Sequence, residues 1–458
     1  MEKTAPTQRV DGTGLSESPS AFSHDSDAAI ARVETIGVLG LGYVGVPLLM
    51  AIADSETKAI GFDVDENRVR MLDAGQSYLK TISDETIGNY AKNAFFNTTT
   101  DLTRIQECDA VLICVPTPLN ANREPDLSFV QIATTAIGKN LQKGQLIVLE
   151  STTYPGTTEE LVAGILEAES GLSCGEDFYL AYSPEREDPG NLDFSTSTIP
   201  KVVGGVDPRS TQLATQVYER FIKQVVPVSS ARVAEAAKLF ENIFRCVNVG
   251  LVNELKMVLD PMGIDMWEVV EAAKTKPFGF MPFYPGPGWG GHCIPVDPFY
   301  LTWKAREYGK TSSFIEHAGD INHRMRDYIV EKTALALDTV HGRGLRDARV
   351  LIVGVAYKAN VDDWRESPAM PIIRAFQGRK CRVSYHDPFI AEFSDHGIET
   401  MSSVPLTSET IKDFDVAVVC ANHTGIDWDL LVSNCEVIVD TRNATRHVTA
   451  NRDRIFIA

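Results

Sequence analysis

Cys293 lies in a stretch dominated by glycine and proline, which runs from Pro285 to Pro298. Glycine lets a ligand approach the backbone closely because it has no side chain, and proline fixes the turns on either side. His292 precedes the thiol and Asp297 follows it. Such a loop favours a nucleophilic sulfur over a structural one. A plain turn that happens to hold a cysteine is the alternative that this stretch alone leaves open.

A second chemical motif is Gly40-Leu41-Gly42-Tyr43-Val44-Gly45, which follows the β-branched run Thr35–Leu39 and leads into an apolar helix. In such a strand-turn-helix the first glycine forms the turn and the second admits a diphosphate. The third packs helix against strand. The helix N-terminus adds amides and a positive dipole. The motif predicts a dinucleotide site containing Gly40, Gly42 and Gly45.

An acidic residue indicates which dinucleotide binds. The segment Ile60-Gly61-Phe62-Asp63 is typical of a second strand that ends in the acid of a ribose site. Asp63 there binds ribose hydroxyls and repels a 2′-phosphate, so NAD is predicted rather than NADP. Arg68 weakens this preference because a cation can reach such a phosphate. A helix N-cap is the alternative role for Asp63, although Asp65 can fill it equally well.

A later stretch suggests a second phosphorylated ligand. Residues 356–368 follow the run Arg349–Gly354 and contain Lys358 and Arg365 together with two aspartates, but no further glycine. A solvated loop is the alternative interpretation.

Composition bounds the functional class. The chain has 458 residues, 44% of them hydrophobic, and a formal net charge of -19. This charge argues against nucleic-acid partners and against an anionic membrane surface. The segment Ile36–Ala53 is apolar, but its glycines and its β-branched start favour strand, turn and buried helix over a membrane span.

The eight cysteines are scattered and form no Cys-x-x-Cys pair, so no zinc site, other metal site or disulfide framework is predicted. This pattern suits a reducing cytoplasm. Residues 1–28 are rich in Ser, Thr, Asp and Gly and are predicted to be a disordered tail rather than a signal peptide.

The order of patterns predicts an α/β protein with two Rossmann-like, doubly wound parallel sheets joined by a helical central domain. The expected domains are 29–226, 227–330 and 331–458. In the central one, Leu239, Ile243, Val247, Leu251 and Leu255 recur every four residues, as on one face of a long helix. Core packing is the main interpretation of this face, and a domain link or a dimer seam is the alternative.

Several motifs in order resemble the UDP-glucose/GDP-mannose dehydrogenase family over nearly all of the chain beyond the tail. Besides the glycine motif and the Cys293 loop, they are V-P-T-P at Val115–Pro118, E-S-T-T-Y-P-G-T-T at Glu150–Thr158, S-P-E-R at Ser183–Arg186, K-L-F-E-N at Lys238–Asn242 and R-E-S-P at Arg365–Pro368. The resemblance implies oxidation of the C6 alcohol of a nucleotide sugar to a carboxylate, with two NAD reduced. It also implies a thiohemiacetal and a thioester on the cysteine.

The resemblance implies specific catalytic roles. Cys293 matches the nucleophile, whose thiolate the glycine-rich turn and a protonated His292 would favour. Asp297 matches the aspartate that orients water or shuttles a proton, with a turn cap as its alternative role. Lys238 and Asn242, four residues apart and so on one helix face, match the pair that stabilises the oxyanion. For these two, a solvated helix face is the alternative.

Two further catalytic matches follow. Glu185 matches the general base for thioester hydrolysis, and Thr152 matches the hydroxyl that positions water near the nicotinamide.

The same resemblance implies the binding residues. The cofactor set adds Tyr43, Val44, Thr117 and Arg365, the last near the cofactor or across a subunit boundary. The substrate set comprises Glu185, Arg186, Lys238, Asn242, Trp289, Gly290 and Lys358, with Arg442 against the UDP of a neighbour. A homodimer or higher homo-oligomer is also implied.

Departures from the UDP-glucose branch indicate the sugar. The sequence has Ser183-Pro184-Glu185-Arg186 and Gly291-His292-Cys293 where that branch has Asn-Pro-Glu-Phe and Gly-Gly-Ser-Cys. This resembles the N-acetylhexosamine branch, and the segment Pro298–Lys304 is most similar to enzymes acting on UDP-N-acetylglucosamine. UDP-N-acetylmannosamine and UDP-N-acetylgalactosamine remain alternatives. An inactive nucleotide-sugar binding protein and a one-step hydroxyacid-type dehydrogenase are rival functions, disfavoured because Cys293, Lys238, Asn242 and Glu185 are all present.

Overall fold

The computed structural model describes residues 33–120, 124–186, 195–291 and 293–458. The first part is built on an eight-stranded sheet of order β3-β2-β1-β4-β5-β6-β7-β8. Its strands are β1 (Thr35–Leu39), β2 (Lys58–Phe62), β3 (Phe96–Thr99), β4 (Ala110–Ile113), β5 (Leu146–Leu149), β6 (Tyr179–Tyr182), β7 (Lys201–Gly205) and β8 (Val225–Pro227). All neighbours are parallel except β6 and β7.

Helices cover both faces of this sheet, so the central strands are continuous hydrophobic runs. The helices are α1 (Gly45–Asp54), α2 (Glu66–Asp73), α3 (Asp84–Tyr90), α4 (Ser128–Gly138), α5 (Ala163–Ser170) and α6 (Pro208–Tyr218). Ile36 pairs with Ala59 on one side and with Ala110 on the other, and all three are buried. The segment Ile36–Ala53 is thus strand, turn and buried helix. No helix in the described ranges is long and apolar enough to cross a membrane.

The middle of the chain is helical. It contains α7 (Ala231–Leu259), α8 (Met266–Ala273), α9 (Asp297–Glu307) and α10 (Ser313–His341). Ser230 caps α7 by accepting a hydrogen bond from Val233 N. Gly250 lets α7 and α10 approach closely, because a Cβ there would lie 3.0 Å from the Cβ of Ala318.

The four-residue repeat on α7 does not form a single core face. Leu239 is fully buried, but Leu251 and Leu255 are 49% and 37% exposed. Core packing is therefore the wrong interpretation for these two leucines. Periodicity marks an apolar face, but it does not tell which partner covers that face.

A second α/β unit follows. Its parallel sheet has the order β10-β9-β13-β14-β15, and β11 and β12 form a separate antiparallel pair. The elements are β9 (Arg349–Val353), α11 (Ala369–Gly378), β10 (Arg382–His386), β11 (Glu392–Asp395), β12 (Ile398–Ser402), α12 (Ser408–Ile411), β13 (Val416–Val419), α13 (Trp428–Asn434), β14 (Ile438–Asp440) and β15 (Ile455–Ile457).

Both sheets have doubly wound strand orders. The predicted fold class is confirmed. In each sheet the strand order reverses at the first strand, and ligands of such folds bind at this switch point.

Candidate active site

The glycine-rich turn after β1 has the geometry of a diphosphate cradle. Gly40 has a φ of +101°, and a Cβ there would lie 2.6 Å from the carbonyl oxygen of Cys114. A side chain at Gly45 would overlap the Gly40 carbonyl, so α1 can start only with glycine at this point. A Cβ at Gly42 would meet no atom within 4 Å, so the turn leaves open space beside it.

Asp63 directly follows β2 and supports this turn. Its Oδ2 accepts a hydrogen bond from Leu41 N and its Oδ1 accepts one from Asp65 N, both at 2.9 Å. Arg68 forms an ion pair with the Asp63 carboxylate at 3.3 Å. Asp65, rather than Asp63, caps α2 through Asn67 N and Arg68 N. The helix-cap alternative for Asp63 is therefore wrong.

A cavity of 1290 Å³ connects the three parts of the chain. Predicted site residues on its wall are Gly40, Gly42, Tyr43, Val44, Asp63, Arg68, Thr117, Thr152, Trp289, Cys293, Asp297 and Arg365. Tyr300 OH donates to the carbonyl of Thr117, and Ser151 Oγ donates to Val115 O at 2.7 Å. These bonds join the V-P-T-P and E-S-T-T segments to each other and to α9.

Two hydrogen-bonded pairs lie beside the thiol. Lys238 Nζ contacts the Glu185 carboxylate at 3.0 Å and donates to the Glu185 carbonyl at 2.6 Å. Asn242 Nδ2 donates to Asp297 Oδ2 at 2.6 Å. Because Lys238 and Asn242 are one turn apart on α7, this helix positions the carboxylates of both Glu185 and Asp297. The solvated-face alternative is wrong for Lys238, which is 5% exposed, and Asp297 is not a turn cap.

Burial sets the protonation of these groups. It raises the pKa of Asp297 to about 7, against the lowering effects of Lys238 and Asn242. Cys293 is exposed on the cavity wall, but the protein around its thiol displaces water and raises the thiol pKa to about 12, with Asp297 adding to the rise and Lys238 opposing it. A thiolate favoured by the glycine-rich turn stays a prediction. His292, the other expected activator, lies outside the described residues.

Lys238 stays charged in this setting. Burial lowers its pKa, but Glu185, Asp297 and Cys293 outweigh burial, so the net shift is upward. This buried ammonium ion is a fixed positive charge that can stabilise a developing oxyanion.

The remaining predicted binding residues are more dispersed. Within the described part of the chain, Gly45, Glu185, Arg186, Lys238, Asn242, Gly290, Lys358 and Arg442 do not line the cavity. Arg365 does, and its guanidinium is held by Asp363 at 2.6 Å. Lys358 is exposed on the same loop, and Gly290 packs against Pro368.

Two arginines have intrachain environments. Arg186 donates to Pro200 O at 2.7 Å and forms an ion pair with Glu241. The guanidinium of Arg442 lies against Gly286, where any side chain would overlap it, and burial lowers its pKa. Arg442 thus faces the glycine-proline loop of its own chain.

Comparison with known proteins places this geometry in a family. Residues 34–222, 232–324 and 351–447 match the NAD binding, central and UDP binding domains of the UDP-glucose/GDP-mannose dehydrogenase family. The chain is 35% identical over 392 residues to a UDP-N-acetyl-D-glucosamine 6-dehydrogenase of Pseudomonas aeruginosa, covering 85% of this chain and 90% of that protein.

An NDP-N-acetyl-D-galactosaminuronic acid dehydrogenase of Ralstonia solanacearum is 34% identical, with 89% of this chain and 95% of that protein covered. Among solved structures, a UDP-D-ManNAc dehydrogenase from Pyrococcus horikoshii superposes with a TM-score of 0.81 at 30% identity. It covers 90% of this chain and 96% of its own.

The chain belongs to the UDP-glucose/GDP-mannose dehydrogenase family. It is an enzyme, and the predicted cofactor, NAD, is confirmed. The described residues fit NAD, because the turn at Gly42 leaves room for a diphosphate and Asp63 faces the same cavity.

The family motifs did not reveal two buried networks of this dehydrogenase. In one, Glu150 binds Lys201 at 2.5 Å and also accepts a hydrogen bond from Tyr218. In the other, Asp387 contacts His423 at 3.1 Å. Glu150 opens the E-S-T-T motif, which was the one available signal. Partners 36 to 68 residues apart leave no local pattern.

Proposed function

We propose that this enzyme oxidises the C6 hydroxyl of UDP-N-acetylglucosamine to the uronic acid, with two NAD reduced per sugar. The observation that carries the proposal is the position of Cys293 and Asp297 on the cavity that also contains the glycine-rich turn. A thiol beside a hydride acceptor serves a four-electron oxidation, whereas a one-step alcohol dehydrogenase has no use for it.

NAD supplies the hydride acceptor for both oxidation steps. The cofactor-binding residues are those of the Gly40–Gly45 turn, Asp63, Arg68, Thr117 and Arg365. Thr152 positions water near the nicotinamide.

Lys238 and Asn242 stabilise the oxygen that gains negative charge at C6. Lys238 is suited to this task because it stays protonated although it is buried. Asn242 adds a neutral donor one helical turn away.

Cys293 attacks the aldehyde formed in the first oxidation. Its high pKa means that the S–H proton leaves as the C–S bond forms, and Asp297, with a pKa of about 7, accepts it. The product is a thiohemiacetal on Cys293, and its oxidation gives a thioester.

Glu185 then activates water for hydrolysis of this thioester. Water adds to the carbonyl, the C–S bond breaks, and the thiolate regains a proton while the uronic acid leaves. Lys238 orients the Glu185 carboxylate through the contact at 3.0 Å.

The nucleotide sugar is held by Glu185, Arg186, Lys238, Asn242, Trp289, Gly290, Lys358 and Arg442. The relative of Pseudomonas aeruginosa supports the gluco epimer, while those of Ralstonia solanacearum and Pyrococcus horikoshii act on the galacto and manno series. UDP-N-acetylmannosamine is the main alternative substrate. A nucleotide-sugar binding protein without activity is the remoter alternative.

We further propose that the enzyme is a cytoplasmic homodimer or higher homo-oligomer that feeds polysaccharide biosynthesis, with domains at 29–226, 227–330 and 331–458. The exposed apolar residues of α7, which include Phe240, Phe244, Leu251, Leu255 and Val258, support self-association. The eight free thiols fit a reducing compartment.

The NADH yield per molecule of sugar nucleotide tests the proposal. UDP-N-acetylglucosamine is compared with the mannosamine, galactosamine and glucose nucleotides. Two NADH per sugar with a preference for the first compound supports the proposal. One NADH per sugar contradicts the thioester route, and no NADH with any of the four favours the inactive binding protein.

A further inference from the structure

The loop of residues 355–368, between β9 and α11, contacts both the cysteine loop and the first α/β part. Gly291 N donates to Glu366 O at 3.3 Å, and a Cβ added at Gly291 would lie 3.1 Å from the ring of Tyr357. Asp362 forms an ion pair with Lys80 of the first part. A shift of the 355–368 loop would therefore displace the residues that pack against the loop containing Cys293.

His423, just after β13, lies beneath this loop and is fully buried. Its Nδ1 accepts a hydrogen bond from the backbone N–H of Asn360 at 2.9 Å, and its Nε2 lies 3.1 Å from Asp387 Oδ2. In return, Asn360 Oδ1 accepts from Thr424 N at 2.9 Å. The 355–368 loop and the segment after β13 thus each accept a hydrogen bond from a backbone N–H of the other.

These contacts determine the tautomer of the imidazole. A backbone N–H can only donate, so Nδ1 of His423 must carry a lone pair. The ring proton is therefore on Nε2, where it donates to Asp387. A second proton on Nδ1 would face the N–H of Asn360, so this geometry requires a neutral ring.

Asn360 is one of two residues in the 355–368 loop with a positive φ, the other being Glu366, and it lies in the middle of the loop. Its φ of +63° is in the left-handed region, which costs energy for a residue other than glycine. Asp387 fixes only the start of the loop, through Val355 N at 2.8 Å and Ala356 N at 3.2 Å. His423 extends that support to the middle of the loop.

We propose that His423 is a positioning residue for substrate binding: its neutral imidazole fixes Asn360, and thereby the loop that presents Lys358 to the nucleotide. This inference rests on the proposed function in one respect, the role of Lys358. The support of the loop by His423 is independent of that role.

Two substitutions separate the two hydrogen bonds of the ring. In His423→Asn, the amide oxygen can replace Nδ1 as acceptor for Asn360 N–H, but the donor to Asp387 is lost. In His423→Gln, the amide nitrogen can replace Nε2 as donor, but the acceptor for Asn360 is lost. Both variants remove the ring, so their common loss of thermal stability serves as the control.

The first readout is amide hydrogen exchange of the peptide 356–366 in the full-length enzyme, which needs no turnover. The second is the affinity for UDP and the KM for UDP-N-acetylglucosamine, with the KM for NAD as reference. We expect His423→Gln to exchange faster in this peptide and to weaken UDP binding about tenfold, as for one lost buried hydrogen bond. His423→Asn stays within about threefold of the wild type.

Equal exchange of peptide 356–366 in the two variants and the wild type would overturn the inference. So would faster exchange in His423→Gln with unchanged UDP affinity, because the loop would then not hold the nucleotide. The wild-type NADH yield is measured separately, so failure of the proposed function is distinguishable from failure of this inference.

Discussion

The two α/β units place an aspartate at the same point and use it differently. In each, the first strand is followed by a glycine with positive φ, Gly40 or Gly354, whose missing side chain makes room for a backbone carbonyl just after a neighbouring strand. In each, an acid directly follows the next strand of the sheet, Asp63 after β2 or Asp387 after β10, and it accepts a hydrogen bond from the backbone N–H after that glycine. The backbone geometry of the switch point is thus shared.

The difference lies in the strand on the other side of the first strand, which is β13 in the second unit and β4 in the first. His423, after β13, contacts Asp387 from inside the protein, and both side chains are completely buried. At Asp63 the first unit has instead the exposed Arg68, and Asp63 lines the cavity. An acid at a switch point serves a ligand when it faces a cavity, and it serves the fold when a neighbouring strand supplies its partner.

The largest expected effect concerns stability. Asp387→Ala leaves the His423 ring N–H and several buried loop amides without an acceptor, and each unsatisfied buried donor costs about 1–3 kcal/mol. Asp63→Ala removes two amide contacts at a cavity edge, and we expect about 1–2 kcal/mol. Urea unfolding of both variants measures the two losses. Equal losses of unfolding free energy would contradict the different roles of Asp63 and Asp387.

The next effect concerns Asp297, which lies between the two units. Its pKa of about 7 means that the proton acceptor for the thiol is available only above that pH. We expect kcat/KM to fall about tenfold per pH unit below 7. A pH profile that is flat from 5 to 7 would contradict this role for Asp297.

Ionisation of Asp297 also changes the free energy of unfolding, which falls as pH rises whereas activity increases. The pKa of Asp297 is raised on folding, so its contribution to stability is complete below the unfolded value and is lost as pH rises through about 7. Asp297→Asn cannot ionise, so the difference in unfolding free energy between wild type and variant should change in that window.

Much of the fold could be predicted from the sequence because its strands are buried on both faces. The β-branched run Thr35–Leu39 forms β1 with the same bounds in the structure. Asp63 could be placed because its spacing from the glycine motif is fixed by one strand-helix-strand unit.

Other features required the structure. Asp387 and His423 come together through sheet pairing over 36 residues, and Lys201 reaches Glu150 over 51. The exposure of Leu251 and the high pKa of Cys293 depend on packing around them, which periodicity and loop composition do not report.

The smallest expected effect concerns the role of Asp63 in cofactor binding. Asp63→Ala should raise the KM for NAD about tenfold and reduce the preference for NAD over NADP, because Arg68 no longer pairs with Asp63 and can contact a 2′-phosphate. Initial rates with both cofactors measure this, with Asp387→Ala at a temperature where it is folded as the control. An unchanged KM for NAD would mean that Asp63 only supports the turn.

The most direct test of the mechanism is intact-protein mass spectrometry of Glu185→Gln, quenched during turnover with UDP-N-acetylglucosamine and NAD. The variant keeps the carbonyl contact to Lys238 but lacks the base for hydrolysis. We expect two NADH per site in a first burst and an acyl adduct on the peptide that carries Cys293. A burst of one NADH without an adduct would contradict covalent catalysis by Cys293.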